Sequence, residues 1–168
     1  MSVHDWPNIV LIGMPGVGKS TVGVILAKVA RRQFIDTDVL MQTRTGRSLQ
    51  EILDSEGLEA FCRIEEQTVC ELACRYCVIA TGGSVVYSDA AMTHLKAGGT
   101  VIHLRLPLEL LAAHIANLDV RGMVMGPGES LADLYERRIP LYQRWADLTI
   151  DCTGKNQDQV VAAILARL

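Results

Sequence analysis

No run of lysine or arginine stands out in the 168-residue chain, whose 16 basic and 19 acidic residues leave a net charge of −3. Without a basic stripe there is no electrostatic footprint for a nucleic-acid polyanion, so a small-molecule substrate is expected instead. Long apolar runs are missing too. Each is too short or too interrupted to span a bilayer, and the N-terminal stretch Met1 to Pro7 lacks the basic-then-apolar pattern of a secretory signal. A cytoplasmic protein with no membrane partner is the expectation. The five cysteines form no disulfide framework, being odd in number, and reduced thiols are expected. Cys70, Cys74 and Cys77 fall at helical spacing and raise a zinc reading. No second His or Cys pair follows at the spacing a four-ligand site needs, so packing is their expected role. Repeats, low-complexity stretches and linkers are also absent, which makes residues 1–168 one domain around one core. Nothing in the sequence specifies an oligomer, and a monomer is taken as the default.

What is present is alternation. Hydrophobic residues make up 49% of the chain and charged residues 21%, and the mean hydropathy of +0.23 suits elements covered on more than one side. Asn8 to Gly13 reads as a buried strand, and Gly18 to Ala30, with Val22, Ile25, Leu26 and Val29, as a helix. Gln33 to Asp36 is a second strand, followed by short helical stretches near Val39 to Thr43 and from Ser48, where Ser48 and Glu51 have capping-box spacing. A long helix is predicted over Leu58 to Ala73, strands over Cys77 to Ala80, Thr100 to Leu104 and Leu148 to Asp151. Further helices are predicted over Ser88 to Lys96, Pro107 to Ala116, Leu131 to Ile139 and Gln157 to Leu168. Strands joined by helices in this order imply a parallel sheet wrapped on both faces, an α/β fold. Residues 118–130 break the pattern with three glycines, one proline and a single Arg121, a composition suited to a mobile lid.

Five features carry chemistry. Gly13-Met-Pro-Gly-Val-Gly-Lys-Ser20 matches the full phosphate-loop pattern, with a strand before it and a helix after it. Its glycines let backbone N–H groups point inward at phosphates, and the helix presents the positive end of its dipole to the same anion. Lys19 would bridge the β- and γ-phosphates of a nucleoside triphosphate, and the Ser20 hydroxyl would ligate Mg²⁺. Asp36 and Asp38 sit at the carboxyl end of the second strand, where parallel sheets bind ligands. Read as an extended segment, the two carboxylates share a side, one for Mg²⁺ and one for a substrate hydroxyl, although such a pair by itself is more often a helix cap. Thr81-Gly82-Gly83 follows a strand and lets a substrate approach the backbone, or is a simple turn. Arg138 can clasp a carboxylate, or sit solvated at a helix end. Arg121 in the lid can offset charge on a moving phosphoryl group, or be a surface charge.

Taken together these pieces resemble the shikimate kinase family over nearly the whole chain. The matching motifs are Gly13 to Thr21, Asp36-Thr-Asp38, Thr45-Gly-Arg-Ser48, Phe61-x-Arg63-Ile-Glu65-Glu66, Gly82-Gly83, Arg121 and Arg138-Ile-Pro-Leu-Tyr142. The resemblance implies a P-loop three-layer α/β/α fold with a five-stranded parallel sheet of order 2-3-1-4-5, and ATP-dependent phosphorylation of the 3-hydroxyl of shikimate. It implies nucleotide contacts from Gly13, Gly16, Val17, Gly18, Lys19, Ser20, Thr21 and Arg121, with Ser20 and Asp36 supporting Mg²⁺. Lys19, Asp38 and Arg121 take the catalytic roles, and Asp38, Cys62, Gly82, Gly83 and Arg138 form the acceptor pocket. Four positions depart from the family pattern. Cys62 stands where the family has an arginine that clamps the substrate carboxylate and faces the acid matching Glu65. Ser84 replaces a third glycine, Gly122 a lid proline, and His114 an arginine beside the adenine. Arg63 lies about 100° further round the helix and cannot take over from Cys62. Glu65, left without its partner, keeps open a kinase of the same fold with an ammonium-bearing acceptor such as homoserine. A nucleotide-binding regulator without kinase activity is the remaining alternative.

Overall fold

The computed structural model describes residues 7–116, 123–126 and 128–168. Five strands, β1 (Asn8–Ile12), β2 (Gln33–Asp36), β3 (Cys77–Ala80), β4 (Gly99–Arg105) and β5 (Leu148–Asp151), form one parallel sheet of order β2-β3-β1-β4-β5. β1 lies at the centre, with Ile9 opposite Val78 of β3 and Thr100 of β4. Every residue of β1 and β3 is buried. Strands so placed read as continuous apolar runs because helices cover both faces.

Among the described residues seven helices connect and flank the strands: α1 (Lys19–Ala30), α2 (Thr37–Thr45), α3 (Leu49–Cys70), α4 (Asp89–Gly98), α5 (Leu108–Ala116), α6 (Leu131–Trp145) and α7 (Gln157–Leu165). α1 packs against α7, and α3 against α4. Right-handed crossovers place α1, which returns from β1 to β2, on the opposite face from α4, which carries β3 across to β4. The chain thus reverses its direction of winding at β1, and the carboxyl ends of β2, β3 and β1 converge on one crevice. Met41, Ile52, Phe61 and Val124 form a second, smaller apolar cluster that ties α2 and α3 to the segment before α6.

α3 starts at Leu49, capped by the Ser48–Glu51 box, and is broken at Gly57 (φ 81°, ψ 176°), which separates the short helix expected from Ser48 from the long one expected from Leu58. Three sequence expectations are corrected. α3 ends at Cys70 rather than Ala73, so Cys74 and Cys77 share no helical face with it; Cys77 opens β3. α6 does not stop at Ile139 but runs through Pro140 to Trp145, with Leu134, Arg138 and Tyr142 buried along one face at four-residue spacing. Asp36 and Asp38 do not share an extended segment: Asp36 is the N-cap of α2 and Asp38 lies in its first turn.

Candidate active site

β1 ends at Ile12 and the chain wraps from Gly13 to Gly18 before α1 begins. Gly18, the N-cap residue, has φ 98°, a left-handed conformation that a side chain would strain. α1 has no acidic residue in its first turn, so the positive end of its dipole is uncompensated where phosphate is expected. Lys19 is buried and its Nζ donates to the carbonyls of Gly13 (2.7 Å) and Met14 (2.9 Å). Burial pulls the ammonium down to about 8, against the opposing charge of Asp38. Gly16, Gly18, Lys19, Ser20 and Thr21 line a cleft of about 450 Å³. Gly13 and Val17 support the loop from below: a Cβ on Gly13 would meet the Leu104 carbonyl at 2.6 Å, and Val17 is packed in the core. His114 reaches the loop through Nδ1, 3.3 Å from the Gly16 carbonyl oxygen. Arg121 and Gly122 lie outside the described residues, as do the rest of 117–122 and residue 127 of the expected lid. Met123 and Val124, which are described, line the cleft.

At the end of β2, Ser20 Oγ donates to Asp36 Oδ2 at 2.6 Å, while Asp36 Oδ1 caps α2 by accepting from the N–H groups of Asp38 and Val39. Asp36 thus caps α2 with one oxygen, as the helix-cap reading expects, and meets the Ser20 hydroxyl with the other. Hydroxyl and carboxylate are hard donors that suit Mg²⁺, an ion that usually takes few protein ligands and completes its shell with phosphate and water. Among the described residues no group of three or more His, Cys, Asp or Glu could hold an ion unaided, so an ion here would share its ligands with a nucleotide. Asp38 projects into the cleft, and its carboxyl is pushed up to about 6, first by burial and then by Asp36, with Lys19 opposing.

The other end of the cleft is formed by Asp38, Phe61, Gly82, Gly83, Ser84 and Arg138. A Cβ on Gly82 would collide with Glu65 Oε1 and come within 2.7 Å of Asp38 Oδ1. A larger residue there would displace one or both of the carboxylates that crowd it. The Gly82 N–H donates to Thr37 Oγ1 at 3.2 Å, which ties the turn after β3 to the start of α2. Arg138 is 0% exposed, so the reading of a solvated helix end fails. Its Nη2 donates to the Val124 carbonyl (2.7 Å) and its Nε to Tyr87 Oη (3.0 Å). Glu65 is buried, and burial pushes its carboxyl up to about 7. It is not wholly without a donor, because the Ser84 hydroxyl meets its Oε2 at 2.6 Å; its Oε1 has no partner among the described residues. Cys62 is half-buried beside these groups but does not line the cleft, and its thiol is raised by burial and by Glu65, with Arg138 opposing. Arg63 turns to solvent and pairs with Glu59 at 2.7 Å.

The family model for shikimate kinase matches residues 15–168. The chain belongs to the shikimate kinase family. A shikimate kinase of Mycobacterium leprae is 39% identical over 165 residues, covering 96% of this chain and 82% of that protein. One from Pseudomonas entomophila is 37% identical over 164 residues, covering 96% and 95%. The solved structure of Acinetobacter baumannii shikimate kinase in complex with shikimate superimposes with a TM-score of 0.87 at 32% identity, covering 98% of this chain and 93% of that one. The five-stranded order and the family membership expected from the motifs are thus both found. Sequence reasoning passed over two residues of this family member's site. Tyr87 carries no motif signal, since it lies just beyond the glycine turn, and Ser84 was noted only as a departure from glycine.

Proposed function

We propose that the chain transfers the γ-phosphoryl group of ATP to the 3-hydroxyl of shikimate. The observation that carries this reading is one cleft with the phosphate loop at one end and Asp38 and Arg138 at the other. Its polypeptide matches shikimate kinases over almost their full length. The loop N–H groups and the start of α1 take the phosphates, and Lys19, released from its two loop carbonyls, neutralises charge on them. Arg138 holds the acceptor carboxylate, which sets the ring so that its hydroxyl faces Asp38. Asp38 accepts the hydroxyl proton as the oxygen attacks phosphorus, the bond from phosphorus to the bridging oxygen breaks, and ADP leaves. A carboxylate with a raised proton affinity is a better base than an ordinary one while still mostly ionised at neutral pH. Ser20 and Asp36 would hold Mg²⁺, which supplies charge neutralisation on the nucleotide when bound. From the sequence, Arg121 adds a further positive charge at the phosphoryl group.

The homoserine reading rested on a Glu65 left with no partner, and Ser84 now supplies one donor. Coupled ATP consumption measured in turn with shikimate, homoserine and gluconate separates the readings. Turnover with shikimate far above the others is expected. Preference for homoserine would transfer the assignment to an ammonium-bearing acceptor, and nucleotide binding with no turnover on any acceptor would leave a regulator.

A further inference from the structure

Two charged side chains at the acceptor end are buried with no ion-pair partner among the described residues: Glu65, 4% exposed, and Arg138, 0% exposed. Each is met by a hydroxyl instead. Ser84 Oγ donates to Glu65 Oε2, and Arg138 Nε donates to Tyr87 Oη with the guanidinium carbon 5.1 Å from the centre of the Tyr87 ring. Both hydroxyls come from one short element. Val85–Tyr87 is a 3₁₀ turn opened by Ser84, closed by the bond from the Tyr87 N–H to the Ser84 carbonyl at 3.0 Å. Side chains three residues apart eclipse in that geometry, so Ser84 and Tyr87 leave the turn on the same side. Val85 and Val86, each 1% exposed, root the turn in the core.

The bonds that Arg138 already makes decide what it has left. Nε is taken by Tyr87 and Nη2 by the Val124 carbonyl, and the Tyr142 hydroxyl, which donates to the Gly83 carbonyl, also lies against the Arg138 side chain; Nη1 lies against Gly83, 2.9 Å from where a Cβ would stand on the cleft wall. With cysteine at position 62, no second guanidinium shares the work from that side, and the direction of this one arm determines how a carboxylate is gripped. We propose that Tyr87 is a positioning residue for the acceptor: its hydroxyl and ring fix the Arg138 guanidinium so that Nη1 faces the acceptor carboxylate. The inference rests on the reading of Arg138 as the carboxylate-binding residue. Tyr87 does not line the cleft and acts only through Arg138.

Tyr87→Phe keeps the ring and removes only the acceptor oxygen, and the position is partly exposed, so the variant should fold. Steady-state rates are measured with shikimate and with the analogue in which the carboxylate is reduced to a hydroxymethyl group, for the parent, Tyr87→Phe and Arg138→Lys. Loss of one oriented hydrogen bond should raise the shikimate KM about 3- to 10-fold in Tyr87→Phe, with kcat, the ATP KM and kcat/KM for the analogue unchanged. Arg138→Lys should raise the shikimate KM further. An unchanged shikimate KM in Tyr87→Phe, beside a raised one in Arg138→Lys, overturns the role of Tyr87 alone. An unchanged KM in Arg138→Lys overturns the carboxylate reading and the inference with it. Equal losses on shikimate and analogue in Tyr87→Phe would show general damage to the pocket and also overturn it.

Discussion

Asp38 sits where three influences meet: burial and the Asp36 charge favour its protonated form, and Lys19 favours the ionised one. Asp38→Asn keeps the shape and removes the base, so kcat should fall about 10²- to 10⁴-fold with little change in the ATP KM. Full activity in the coupled assay would remove Asp38 from the mechanism. Cys62 offers the converse test, a gain. An arginine there would bring a charge-assisted hydrogen bond to the buried end of the cleft, where Glu65 Oε1 has no donor among the described residues. Cys62→Arg is therefore expected to lower the shikimate KM roughly 10- to 100-fold. A KM that stays level or rises would show that even an arginine at position 62, which borders the cleft without lining it, does not reach the acceptor. His103 is a third residue with an isolated effect. It is 1% exposed, stacks on Tyr142 with ring centres 5.1 Å apart, and neither ring nitrogen has a hydrogen-bond partner among the described residues. Burial, with the charges of Arg105 and Lys19, lowers its proton affinity to about 4. The unfolded chain takes up this proton near pH 6.5 and the folded one does not until about 4. The parent should thus lose up to about 3 kcal/mol of stability as pH falls through that window, relative to His103→Phe. Parallel urea titrations of the two proteins at pH 7 and pH 4.5 measure it, and equal losses would show that His103 does not titrate across folding.

Among the elements, α3 is shaped by one residue. Gly57 adopts φ 81° and ψ 176°, a region nearly reserved for glycine, and a Cβ there would meet nothing within 4 Å. The conformation, not crowding, requires glycine. Gly57→Ala should cost about 1–3 kcal/mol in urea unfolding. A midpoint equal to the parent's would mean that the helix tolerates a continuous path at this point. The same comparison explains what could be read from the sequence. The phosphate loop was legible because its glycines encode backbone conformation directly, and the strands because buried parallel strands are apolar throughout. α6 was cut short at Ile139 because a proline ordinarily ends a helix, whereas here packing of Leu134, Arg138 and Tyr142 on one face carries it through. Asp36 and Asp38 were read on the wrong geometry, since a short strand running straight into a helix leaves no extended residue between them. Tyr87 and the Ser84–Glu65 bond were not legible at all. They depend on how a 3₁₀ turn meets helices distant in sequence, and no local pattern reports that.

Across the whole molecule, the cleft gathers residues from Pro15 to Arg138, contributed by the loop after β1, by α2, α3 and α6, and by the turn after β3. A ligand bound there touches elements on several strands at once, and only the folded chain offers the site. Binding should then stabilise the entire fold: at one hundred times its dissociation constant a ligand contributes about 2.7 kcal/mol. For a domain near this size that corresponds to a rise in Tm of roughly 5–11 °C. ADP with Mg²⁺ should raise the Tm more than ADP with a chelator, by an increment that depends on Ser20 and Asp36. Asp36→Asn is the informative variant, because asparagine still caps α2 and leaves the basal stability nearly intact. In Asp36→Asn and in Ser20→Ala the shift from ADP alone should persist while the Mg²⁺-dependent increment disappears. This readout needs no catalysis and so is independent of the acceptor. Increments equal to the parent's in both variants would assign the ion to other ligands and return the 2.6 Å contact between Ser20 and Asp36 to a purely structural role.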